Sequence, residues 1–358
     1  MPTVSTRRNL ENLSLLMGAV GFLLGGAIAL LVVQPPATLF GKGSVGEVAA
    51  LSGGLVAGAA FLTGVLVSGS RQLTWQHRLG AVRRFVDLAG LTLVHTSISL
   101  LATAAVFAVF ADAFQRVELD RWAASFLVAG ACAVAAYAAG SSANSMTTES
   151  LSLLVAAFMV VGAFASALTS SDPTWWQEHF SALGTASDVS GITFNFTLIL
   201  TGVVLTTLAD FLTLDLERWA RHNREPGWKV AVVRGALVIV GLMLAMVGVK
   251  PVNQSLYWHN MVTYAAVWAF VALLVAVPVL FRRLSRAFIG VSVVVAVLMG
   301  VEAWLNMRVG YLSTTGFEIA AVATVFVWLV LFIRTVSAAV ADIPEVRASP
   351  GATAISPV

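Results

Sequence analysis

The chain has 358 residues, of which 58% are hydrophobic and only 11% charged, and its mean hydropathy is +0.88. So little charge excludes an ordinary soluble globular domain and predicts an all-α, polytopic bundle embedded in a bilayer. The net charge of +3 does not indicate nucleic acid, because the basic residues sit in short clusters between apolar runs and not along one polar face.

In chain order, apolar runs bounded by charge, Gly or Pro fall near 14–33, 47–68, 89–111, 122–140, 150–169, 190–213, 230–248, 260–281, 287–305 and 316–336. Each reads as a helix, because a segment surrounded by hydrocarbon must satisfy its own backbone hydrogen bonds. At roughly 20 residues per span, ten spans use about 200 residues, leaving no length for a second soluble domain. The first run follows Arg7 and Arg8 but is long for a signal peptide and ends in Pro35-Pro36 without a small-residue cleavage site, so it reads as a retained helix.

Ten crossings from an inside N-terminus put Arg7, Arg8, Arg71, Arg78, Arg83, Arg84, Arg218, Arg221, Arg224, Lys229, Arg234, Arg282, Arg283, Arg286, Arg334 and Arg347 on the cytoplasmic side. That is sixteen of the 21 basic residues; Lys42, Arg116, Arg121, Lys250 and Arg308 are left outside. The bias is the positive-inside pattern and predicts both termini inside, in a multi-pass plasma-membrane protein. Lysine occurs only at 42, 229 and 250 amid many arginines, which suggests a GC-rich bacterial source. Two inner loops mix arginine with aromatics, Arg71 to Val86 and Leu216 to Lys229, and read as interfacial anchors that could also attract anionic headgroups. Trp175-Trp176 reads as part of an outer aromatic belt.

Gly21-x-x-x-Gly25, Gly54-x-x-x-Gly58 and the Ala/Gly-rich stretch from Gly130 to Gly140 predict close helix packing. The single cysteine, Cys132, allows no intramolecular disulfide and no cysteine-based metal site, and reads as a small buried hydrophobe. Pro278 predicts a kink near the inner end of the eighth helix. No internal repeat is visible, which weakens a transporter built on inverted repeats.

The polar residues of the second half gather on the extracytoplasmic side. Asp188, Asn195 and Gly202 are seven apart and share one helical stripe. His259 and Asn260 open the eighth helix, Glu302 and Asn306 end the ninth, and Glu318 stands one turn into the tenth. Ionisable groups at or below the interface are costly and usually face a protein interior or a wet cavity, so the cluster reads either as a ligand pocket or as a structural network. His95 reads as a packing histidine and Asp210 as interfacial.

No Walker-type phosphate loop, His-Glu-x-x-His pair or Gly-x-Ser-x-Gly elbow is present, and the five histidines have no metal-ligand spacing. No cofactor and no metal is therefore expected. Ser181, His259 and Asp188 or Glu318 are the residues from which a nucleophile, base and orienting acid would have to be drawn.

Phe180-Ser-Ala-Leu-Gly184, Phe194-Asn195-x-x-Leu-Ile-Leu-x-Gly202, Gly248-Val-Lys-Pro251, His259-Asn260, and Glu318 opening a helix that runs to Trp328 and Arg334 together resemble the six-helix Frag/DRAM/Sfk-like membrane family and its bacterial branch of unknown function. The resemblance divides the chain into a four-helix N-terminal extension at 1–149 and a six-helix domain at 150–336, followed by a tail at 337–358 expected to be disordered. Eukaryotic relatives are linked to lipid remodelling of glycosylphosphatidylinositol anchors, to phosphoinositide and bilayer-asymmetry control, and to lysosomal autophagy. The resemblance thus implies membrane-lipid biology, with membrane lipids as partners. The expectation is a pocket in which Asn195, His259 and Glu318 hold a headgroup and Ser181 and Asp188 shape the loop above it, with Asn260 and Glu302 beside them. A lipid acyl transferase or hydrolase, and a transporter using His95 and Asp210, are the alternatives.

The charge pattern makes a direct prediction. In intact cells, a cysteine placed at Lys42 in a Cys132→Ala background should react with a membrane-impermeant maleimide, and one placed at Arg224 should react only after lysis.

Overall fold

The computed structural model describes residues 4–72 and 80–343, with side chains within 8–67 and 80–343. The side chains of Arg7 and Arg71, and the whole of Trp75, Arg78, Leu79, Arg347 and the tail prolines Pro344, Pro350 and Pro357, lie outside these bounds. Among the described residues, ten helices are long and apolar enough to cross a membrane, and the chain is an all-α polytopic membrane protein. They are α1 Val4–Val32, α2 Val45–Gln72, α3 Ala81–Ala113, α4 Arg121–Asn144, α5 Thr148–Thr169, α6 Val189–His222, α7 Trp228–Val249, α8 Leu256–Leu280, α9 Arg286–Trp304 and α10 Thr314–Ala341.

Each apolar run became one helix, but several helices outgrow their runs. α3 has 33 residues and α6 has 34, each about 50 Å long at 1.5 Å per residue. Residues 81–86 and 216–222, read as loop, are helical extensions of these two. The tail expected from 337 is likewise helical to Ala341, because α10 continues through Ala338, Ala339 and Val340 before Asp342 closes it. Pro278 lies in the last turn of α8, which stops two residues later. Having no N–H, it cannot donate to the carbonyl of Leu274 four residues earlier.

Short polar caps set the helix starts. Asp120 accepts from Trp122 N and Ala123 N to open α4, and Thr147 and Ser150 form a reciprocal capping box at α5. Ser255, Ser285 and Ser313 each accept a backbone N–H at the start of α8, α9 and α10. On the side that the charge pattern makes extracytoplasmic, Ala37–Thr38 (β1) pairs antiparallel with Glu118–Leu119 (β2), joining the α1–α2 and α3–α4 loops.

α4 packs on α1 and α2, α2 on α3, and α3 on α5 and α6; α5 to α10 then form a ring that closes where α10 meets α5 and α6. One hydrophobic core, from Phe61 and Val94 through Phe158 and Leu208 to Trp328 and Phe332, is continuous across the 149/150 boundary. Trp328 is fully buried, stands edge-on to Phe270, lies against Phe288 and Phe332, and donates from Nε1 to Ser292 Oγ at 3.0 Å. The outer surface is the reverse of a soluble protein's: Leu31, Leu55, Ile192 and Trp268 are among many exposed apolar side chains.

The small residues mark the closest crossings. A Cβ on Gly21 would lie 2.7 Å from Cys132 O, and one on Gly25 would lie 2.7 Å from Cys132 Sγ, so α1 sits on the buried cysteine of α4. A Cβ on Gly54 would lie 3.0 Å from Thr96 O. Between α6 and α7 the fit is reciprocal: a Cβ on Gly202 would lie 2.6 Å from Ala245 N, and one on Gly241 would lie 2.6 Å from Gly202 O. Gly202→Val should therefore cost about 1–3 kcal/mol of overpacking, seen as a lower melting temperature in detergent. Gly290→Ala, at a site with open space, should melt like the wild type.

Candidate functional site

A 3-10 turn at Phe180–Thr185 lies over the outer ends of the α5–α10 ring, and three of the residues singled out from the sequence, Ser181, Asn195 and Glu318, meet there. From α10, Glu318 Oε2 accepts from Phe180 N at 2.7 Å and Ser181 N at 3.3 Å. From α6, Asn195 Nδ2 donates to Gly184 O at 2.8 Å. From the α7–α8 loop, Asn253 Nδ2 donates to Thr185 O at 3.2 Å, and the same loop accepts His259 Nδ1 on Lys250 O at 3.0 Å. Gly248 makes this arrangement fit, since a Cβ there would lie 2.5 Å from Asn195 O. Asp188 caps α6 through Oδ1 and receives Ser171 N and Oγ on Oδ2 at 3.1 and 2.6 Å. Ser181, Asn195 and Glu318 thus meet in one hydrogen-bonded outer cap, while Asp188 at the start of α6 and His259 at the start of α8 make their bonds to other outer-side groups.

Two further predicted residues stand apart from the cap. Glu302 on α9 accepts from Thr324 of α10 at 3.0 Å, and its Oε2 is buried without a partner. Thr324 is ten residues into α10, about 15 Å along the helix from its outer start. Asn260 is half-buried beside His259 and has no side-chain hydrogen bond, while Asn306 closes the α9–α10 turn onto Leu312 O at 3.0 Å. Trp175 turns inward to pack near Phe180 and only Trp176 is well exposed, so the expected aromatic belt holds one of the pair.

The geometry also assigns partners that the sequence reading missed. Ser181 Oγ lies 3.1 Å from His179 Nδ1, two residues before it, and has no hydrogen bond to His259. The trio of Ser181, His259 and an acid therefore does not assemble: His259 faces Lys250 O, while Glu318 and Asp188 bind backbone. The two N–H groups nearest Ser181 that could stabilise an oxyanion already point at the Glu318 carboxylate.

At the opposite, arginine-rich end, Asp210 is not merely interfacial. Its Oδ2 meets Arg83 Nε at 3.0 Å, and its Oδ1 meets Arg234 Nη2 at 2.9 Å. Arg83 also contacts Asp87 at 3.1 Å and donates to Thr206 at 3.0 Å, and Thr207 donates to Asp87 Oδ1 at 2.9 Å. The i,i+4 spacings of Arg83 with Asp87 and Thr206 with Asp210 were the available signal. His95 faces elsewhere: it stacks on Phe61 at 4.0 Å, Nδ1 donates to Leu91 O at 2.8 Å and Nε2 accepts from Ser142 at 2.9 Å. The neutral tautomer with its proton on Nδ1 fills both bonds, as a packing histidine requires. His95 and Asp210 share no partner, so the two residues required by a transport path are not joined.

Among the described residues, no three of His, Cys, Asp and Glu come together as metal ligands. What the fold and site define is a polytopic helical membrane protein with a polar cap on one end of its six C-terminal helices and an ion cluster at the other. No family model, curated protein or solved structure matches the chain. The likeness of residues 150–336 to the six-helix family rests on its short motifs alone.

The Ser171 hydroxyl and N–H, with the N–H groups of Gly191 and Ser190, hold the Asp188 carboxyl below the usual carboxylate range. A depressed pKa stabilises the fold above the unfolded-state value near 4, and that contribution disappears as pH falls through the lower folded value. Asp188→Asn should melt earlier than wild type at pH 6, and the gap should narrow below about pH 4. Melting curves of both proteins across that range test the assignment.

Proposed function

We propose that the chain is a bacterial plasma-membrane protein that binds or organises an envelope lipid at its extracytoplasmic cap, without covalent chemistry. The observation carrying this reading is what the cap and the start of α8 leave unengaged. After their bonds to backbone are made, Asn195 keeps Oδ1, His259 keeps Nε2, Glu318 keeps Oε1 and Asn260 keeps its whole amide. These atoms, on neighbouring helix ends, are available to a polar headgroup. Exposed apolar side chains stand on the same helix ends, including Ile192, Met261 and Ile319, and are suited to acyl chains. The resemblance to a family linked with membrane lipids supports the same reading.

A second reading, a lipid hydrolase or acyl transferase, rests on the Ser181–His179 pair at 3.1 Å. It is the weaker one, because no acid orients His179 and the neighbouring N–H groups are occupied by Glu318. Ser181→Ala should leave lipid turnover and lipid binding unchanged; loss of turnover with intact binding would favour the enzyme.

Native mass spectrometry with lipid identification tests the main reading. Wild type should retain one lipid class that a folded Asn195→Ala, His259→Ala variant loses. Equal, unselective lipid on both proteins would overturn the pocket.

A further inference from the structure

The ion cluster at the arginine-rich end buries its carboxylates more deeply than its guanidiniums. Asp210 is 7% exposed and Asp87 is fully buried, whereas the side chains of Arg83 and Arg234 are 32% and 49% exposed. The carboxylates thus lie beneath and the guanidiniums above. Arg83 and Arg234 are drawn to opposite oxygens of one carboxylate, which holds two like charges side by side. Arg83 bonds through Nε and Nη2 and Arg234 through Nε and Nη2, so both leave Nη1 free. Two part-exposed guanidiniums, each held by its Nε and Nη2 bonds and keeping an Nη1 group to donate, suit the oxygens of a phosphate, and little side-chain freedom remains to be lost on binding.

The surroundings identify the source of that phosphate. Arg234 is six residues into α7, about 9 Å from its inner start, which is a depth of headgroups. Val82 and Phe85 on α3 and Trp228 and Val232 on α7 are exposed apolar side chains on the same two helices. A free phosphate has no use for them, while acyl chains do. We infer that Arg83 and Arg234, clamped by Asp210, bind the phosphate of an anionic phospholipid in the leaflet at this end of the bundle. The inference is independent of the lipid reading for the opposite cap, which shares none of these residues.

The test uses the full chain in detergent, titrated with phosphatidylglycerol or phosphatidylcholine of identical acyl chains, with bound lipid counted by native mass spectrometry. Wild type should prefer phosphatidylglycerol by about five-fold or more, on the scale of about 1 kcal/mol per interfacial basic residue. Arg234→Gln, whose amide can still donate to Asp210, should fold and lose most of that preference. If it fails to fold, Asp210→Asn with Arg234→Gln removes both charges together and should show the same loss. No preference in wild type, or an unchanged preference in either folded variant, overturns the site. Displacement of the lipid by millimolar inorganic phosphate also overturns it, in favour of a soluble anion.

Discussion

Hydrocarbon offers no hydrogen-bond partner, so a polar side chain carried into this bundle is costly unless the protein itself supplies its partner. These obligations help decide which helices are neighbours. Asp210 ties α6 to α3 and α7, His95 ties α3 to α4 through Ser142, and Asn144 ties α4 to α1 through Leu10 O and Ser14. Ser166 reaches the start of α6 at Ser190, and Trp328 reaches α9 at Ser292. Apolar packing alone discriminates poorly among such helices, because a lipid tail is as apolar as leucine. The few polar pairs and the glycine crossings supply the discrimination.

α6 shows how the two devices work together. Its stripe through Asn195 and Gly202 faces Gly248 and Gly241 of α7, both pairs seven residues apart in opposite directions. Close approach at these points leaves no room for a side chain, and so fixes the height at which Asn195 meets the turn at Phe180–Thr185. The cap is consequently positioned by backbone contact well inside the bundle, and not only by its own loop.

The ten spans were legible because charge and apolar length alternate along the chain, and the glycine pairs were legible because spacing alone announces a packing face. Cys132 and His95 likewise occupy the roles their lone positions suggested. Partner choice was not legible. Asp210 and Arg83 are 127 residues apart, and while the i,i+4 spacing hints at Asp87, nothing local says that Arg83 also faces Asp210. Asp87 drew no notice because a charge near an apolar run's edge ordinarily belongs to a loop, whereas α3 continues past it. The same cause hid the helical nature of 216–222. Ser181 was matched with His259 on chemistry, yet the short turn before it brings His179 within reach first.

The lengths of α3 and α6 have a consequence at the headgroup layer. A helix of about 50 Å tilted by as much as 40° still spans about 38 Å, against roughly 30 Å of hydrocarbon. Both helices outrun the hydrocarbon at any usual inclination, so at least one end of each reaches the headgroup layer. Ordered helix thereby extends past the acyl chains at such an end, and lipid headgroups meet α3 and α6 as backbone-satisfied surface where a shorter helix would already have given way to a loop.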